Sequence, residues 1–178
     1  MINQTFALRL AQYKSWADEL TYDAVAKLPE AEVHKERRTL FRSIIGTLNH
    51  NIVVDLIWKA HLSGEAHGFT SRAVLLHPSL GDAHAAQTQI NDWLSQWVAA
   101  QTDESLTRSI RFTFISGEVG ELTAGEMFMH LVNHSTYHRG WIAEMFFEVP
   151  AKAPTTDLPV FLLQAAHQNK VQSLGVVG

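Results

Sequence analysis

Between Asn3 and Asp23 apolar residues recur in steps of four and three, at Phe6, Leu10, Tyr13, Ala17 and Leu20. That spacing lines one face of an α-helix. Leu28-Pro29 and the polar stretch EAEVHKERR then predict a turn and a helix restart. From Thr39 to His61 apolar residues occupy nearly every face (LFRSIIGTLNHNIVVDLIWKAH after Thr39), so the helix expected there is central. A loop rich in Gly, Ser and His follows from Ser63 to Gly81. Asp82 is placed to cap a third long helix, whose broad apolar face carries Ile90, Trp93, Leu94 and Trp97.

The period then changes. IRFTFI, residues 110–115, is β-branched and aromatic, SGEVG is a turn, and Glu121–Thr123 returns as a second short strand, which makes a small hairpin. Thr123 and Glu126 have the spacing of a capping box, so a fourth long helix is expected from Thr123 to about Glu148, where Val149-Pro150 stops it. PAKAPTTDLP, with three prolines, reads as an extended wrap, VFLLQAAHQ as one short helix and SLGVVG as a loose tail. The expectation is an all-α four-helix bundle with one hairpin before the last long helix, occupying residues 1–163, and a C-terminal tail over 164–178.

Composition narrows the function classes. A chain of 178 residues supports one well-buried domain. Its net charge of −4 argues against a nucleic-acid surface, which requires a basic patch. No apolar run reaches the ~20 residues of a membrane span, and the N-terminus is too polar for a signal-peptide core, so no membrane partner and a cytoplasmic location are expected. With no cysteine, disulfides, thiolate ligands and a cysteine nucleophile are excluded. The unusual count is ten histidines, and they do not form the contiguous run of a tag.

Three of them, His130, His134 and His138, stand four residues apart in HLVNHSTYHRGW. On a helix each step of four rotates about 40° and rises about 6 Å, so His130 and His138 lie about 12 Å apart along the axis and cannot serve one ion. The apolar stripe of Met127, Leu131, Ile142 and Met145 is centred about 40° from His134. His134 and His138 fall inside the stripe, and His130 falls on its flank beside Tyr137. Two inward imidazoles need partners, either a metal ion or bonds to backbone and water. His50, in the middle of the most apolar helix, is the best candidate for a third ligand, although a lone core histidine is also commonly just a satisfied one. His61 lies about 16 Å further along that helix, too far to join. His34, His67, His77, His84 and His167 fall in loops or helix ends. HSTYH lacks the glutamate of HExxH, and no phosphate-binding glycine loop, nucleophile elbow or di-iron Glu-x-x-His pair is present.

LNHNIVVDLIW followed some 80 residues later by HLVNHSTYHRGWI resembles the DinB (damage-inducible) family of metal-dependent enzymes, over about residues 3–163. The family pattern is one histidine midway along the second helix and H-x-x-x-H-R-G on the last, here His50, His134 and His138 with Arg139 and Gly140. The resemblance implies an up-down-down-up bundle, commonly homodimeric. It also implies that His50, His134 and His138 hold one divalent ion per chain, with zinc, nickel or iron as the candidates. Relatives include low-molecular-weight-thiol transferases and a thiol-dependent isomerase, so the partners expected are a small-molecule substrate and a low-molecular-weight thiol.

Three neutral imidazoles leave an ion its full charge and an open position, as in catalytic sites, where bound water or thiol becomes more acidic. Metal-dependent thiol transfer is the leading expectation, with metal-dependent hydrolysis or a non-catalytic metal-binding stress protein as alternatives. Asn49, Asn133 and Glu126 are candidate partners for the ligand imidazoles. Asp55 is a candidate partner for Arg139, and Gly140 is expected to allow close helix approach.

Overall fold

The computed structural model describes residues 2–173. Its first long helix, α1, spans Gln4–Val25, and the Asn3 side chain accepts the Phe6 N–H at its N-terminus. The short helix α2 covers Glu30–His34 directly after Pro29. Helix α3 covers Ile44–Ser63 and ends on Gly64 in the left-handed conformation (φ 73°). Helix α4 covers Leu80–Ala99. Strands β1 (Ser109–Thr113) and β2 (Val119–Thr123) pair antiparallel, with Phe112 opposite Gly120. Helix α5 (Ala124–Met145) begins in the expected capping box of Thr123 and Glu126 and ends in a single 3-10 turn, Phe146–Glu148. Helix α6 covers Leu158–Ser173. The segment expected as a tail therefore continues as helix through Ser173, and residues 174–178 lie outside the described residues.

Two starts differ from the sequence expectation. Helix α3 begins at Ile44, not Thr39, because Ser43 is extended and its hydroxyl accepts the Gly46 N–H (3.0 Å). Arg42 before it has a left-handed backbone (φ 65°), which breaks the helical path. The Phe41 carbonyl folds back so closely onto Gly46 that a Cβ there would overlap it. Helix α4 is capped by Ser79, whose hydroxyl accepts the Asp82 N–H (3.3 Å). Asp82 instead sits in the first turn, where its charge complements the helix dipole.

The chain is mostly helical. Helix α1 packs against α4 and α5, and α3 packs against the same two, so the four long helices form a ring. The links that join helices across this ring, 26–43 and 100–123, are long ones. Buried apolar residues form two clusters. One, at the hairpin end, includes Leu10, Val54, Trp58, Leu94, Phe128 and Leu131. The other includes Val25, Ile44, Leu48, Ile52, Ile90 and Ile142. Helices α1 and α5 run from the first cluster to the second, and α3 and α4 run the opposite way.

Between the clusters lies a polar layer. Lys14 is fully buried, and its ammonium donates to Asp18 (2.9 Å), Asp55 (2.8 Å) and the Asn91 side-chain oxygen (2.8 Å). Gln87 donates to Asp55 and Asn91 to Asp18. The layer joins α1, α3, α4 and α5 and contains two cations and two carboxylates, Arg139 being the second cation.

Candidate metal centre

His50 stands on the second turn of α3 and His134 and His138 on successive turns of α5, the two helices packed side by side. Each imidazole offers one nitrogen, and these nitrogens lie within 4.8 Å of one another. His50 Nε2 and His134 Nε2 are 3.1 Å apart. His50 Nδ1 donates to the Arg72 carbonyl (2.9 Å), which leaves its Nε2 as a lone pair directed at the other two rings.

The surroundings keep these rings neutral. Burial, followed by repulsion from His138 and His50, pushes His134 down to about 2. Burial and His50 push His138 down to about 4. Burial lowers His50 as well, and the Arg72 charge adds to that lowering against the opposing effect of the carbonyl bond. Neutral imidazoles present lone pairs at physiological pH, and that is the form a metal requires. The Nδ1 atoms of His134 and His138 are buried without a hydrogen-bond partner in the described structure. Three neutral nitrogens converging on one point fit a single divalent ion, and imidazole suits zinc, nickel or iron.

The triad forms the floor of a cavity of about 530 Å³, within the usual size range for small-molecule sites. Phe41 stacks on His50 (centroids 3.8 Å, 15°), and Trp141 meets His138 edge-on at 4.8 Å. Leu40 and Tyr137 flank the cavity. The rim is Ser71, Arg72 and Ala73, from the Ser63–Gly81 loop. Two neighbouring residues of α3 hold this loop. His50 holds Arg72, while Asn49 accepts the His77 N–H (2.7 Å) and donates to the His77 carbonyl (2.9 Å).

His130 is half-buried against Trp58 (4.7 Å) and does not line the cavity. His61 packs edge-on against Trp58 and His67, away from the triad. His84 pairs with Glu19 (2.8 Å) and stacks on Tyr22, and it and His167 lie within helices; His34 ends α2, and His77 is in the loop. Arg139 binds Asp18 (2.7 Å), Tyr13 and Thr136, not Asp55, because Lys14 already occupies Asp55. Gly140 is exposed, with nothing near its missing Cβ; the close approaches occur at Gly46, Gly120 and Gly125. Glu126 is used by the capping box, and Asn49 holds the loop instead of a ligand ring. Phe41 and the Arg72 carbonyl were not singled out by the sequence. Phe41 looks like one more apolar position of a helix, and a backbone carbonyl carries no side-chain signal.

A mostly helical ring whose interior gathers three neutral imidazoles under a small-molecule cavity defines a candidate histidine metal site on a helical scaffold. The DinB family model matches residues 1–171, and the chain belongs to the DinB family. Protein DinB of Bacillus subtilis (strain 168) is 28% identical over 164 residues, covering 88% of this chain and 94% of that protein. The crystal structure of a DinB-like protein from Bacillus cereus ATCC 10987 shares the fold, with a TM-score of 0.60 at 18% identity over 82% of this chain and 94% of that one.

Proposed function

We propose that this protein is a metal-dependent enzyme in which His50, His134 and His138 hold one divalent ion, zinc, nickel or iron, and which transfers a low-molecular-weight thiol to an electrophilic small molecule. The scaffold is read as an up-down-down-up four-helix bundle, from the helix directions and the ring packing. The observation that carries the reading is the convergence of three imidazoles, all held neutral, at the floor of a cavity able to take a small molecule. A divalent ion in this donor set supplies Lewis-acid chemistry that makes an incoming thiol more acidic.

The residues of the chain account for the rest. The bond from His50 to the Arg72 carbonyl fixes the tautomer and aims the ring. Phe41 and Trp141 cover two of the imidazoles and limit water around them. The thiol must come from a cosubstrate, because the chain has no cysteine. No carboxylate lines the cavity among the described residues, so a general base of the metalloprotease kind is lacking, which favours thiol transfer over hydrolysis. A reduced thiol pool makes the cytoplasm the natural compartment, and a homodimer, measurable by light scattering, is part of the reading.

The test is consumption of a small thiol such as glutathione or cysteine in the presence of an aryl halide, with metal-loaded wild type and with His134→Ala. Thiol loss above the uncatalysed rate that vanishes in the variant is expected. Ester hydrolysis without thiol, alongside no thiol conjugation, would overturn the transferase assignment in favour of a hydrolase.

A further inference from the structure

We propose that the cavity takes a substrate that joins an anionic group, a carboxylate above all, to a flat apolar body, with Arg72 holding the anion at the rim. This inference rests on reading the cavity as the substrate site. Its first support is the charge of the lining. Among the described residues Arg72 is the one formally charged side chain there, and no aspartate or glutamate opposes it. The guanidinium makes no ion pair in the described structure, and among the arginines that lack one Arg72 is the one that lines the cavity. An exposed arginine that no acid neutralises, on a rim fixed in place, is available to a ligand.

The rim is fixed because the Arg72 carbonyl accepts from His50 and the loop is held again at His77. The Arg72 backbone lies against His50 (2.9 Å), and Arg72 lines the same cavity as the three imidazoles. An anion bound to Arg72 would therefore sit at the edge of the cavity whose lining includes the triad.

The second support is the apolar part of the lining. Leu40 is 72% exposed and Tyr137 58% exposed, although both are large and apolar or amphipathic. Together with Trp141 and Phe41 they form a face on which a flat apolar group can stack. A ligand spanning from this face to Arg72 would occupy the cavity whose lining also includes the three imidazoles.

The experiment compares naphthoate with its neutral isostere naphthamide. Each is titrated into the full chain stripped of metal, so that a carboxylate has no ion to bind, and binding is read from the Trp141 indole N–H signal, assigned with Trp141→Phe. Wild type should bind naphthoate about threefold to fivefold more tightly than naphthamide, the range of one partly exposed ion pair. Arg72→Gln should remove this preference, and Arg72→Lys should keep most of it. Equal binding of the two probes by wild type would overturn the proposal, and so would a preference unchanged in Arg72→Gln. Metal content measured on the same preparations separates the two ideas: a metal site that fails while the naphthoate preference survives refutes the metal-centre reading alone.

Discussion

At the scale of single residues, the three imidazoles sit in an environment that disfavours their charge. His134 carries the largest burden, with a buried Nδ1 that has no partner and a pKa near 2 against about 6.5 in an unfolded chain. Below about pH 6.5 the unfolded chain binds protons that the folded triad refuses, so the metal-free protein should lose stability as pH falls from 7 toward 4. His134→Phe removes both the orphan atom and one of these suppressed sites. Chemical denaturation of metal-free protein should find the variant more stable than wild type by about 1 kcal/mol at neutral pH, with a shallower loss toward acid. A less stable variant with an unchanged pH slope would show that His134 is an ordinary satisfied core residue. The pair at positions 134 and 138 was legible because helix geometry alone separates it from His130. His50 was legible only as a polar residue in an apolar helix, and its direction depended on which helix packs beside it.

Elements show where local signals mislead. Read by hydrophobicity, Leu40 and Phe41 extend α3. The backbone ends the helix at Ser43 and turns Phe41 back over His50, a rearrangement that depends on Gly46 having no side chain. Gly46→Ala should force this turn apart and cost about 1–3 kcal/mol, as overpacking does. Gly140→Ala, on the exposed side of α5, should add roughly up to 1 kcal/mol of helix stability. Urea midpoints of the two variants moving in the same direction would contradict this assignment of the two glycines. A cap is legible where two side chains each accept the other residue's backbone N–H, as at Thr123 and Glu126. Ser79 and Asp82 are both capping residue types, and only the backbone decides between them.

For the whole molecule, the element order and the hairpin followed from periodicity, but the layer dividing the core did not. Lys14 follows Tyr13 on α1 and looks like a solvated flank residue, yet it is fully buried between Asp18 and Asp55. Charge balance among four residues on three helices is invisible to a local pattern. The carboxylate of Asp18, beside Lys14 and Arg139, is held below its ordinary range despite burial, and the Lys14 ammonium is held above its own. Asp55, whose burial and nearness to Asp18 outweigh the Lys14 charge and the Gln87 hydrogen bond, is raised. Lys14→Met leaves Asp18 and Asp55 underpaired and should cost about 3–5 kcal/mol. Adding Asp55→Asn should recover a large part of that loss in thermal or denaturant unfolding. A neutral Lys14→Met would show that the layer contributes nothing to holding the helices in register. Because Arg139, the residue after His138, is tied to Asp18 on α1, this layer also constrains the rotation of the helix that carries two of the three imidazoles.

The account turns on His50, His134 and His138 acting as one metal centre. Its most direct test is elemental analysis of the protein purified without a histidine tag, set beside His50→Ala, His134→Ala and His138→Ala prepared in the same way. The account predicts about one divalent ion per wild-type chain, falling to near background in each variant while circular dichroism shows the helices intact. Wild type with only trace metal after reconstitution, or a His50→Ala protein that keeps its full complement, would contradict it.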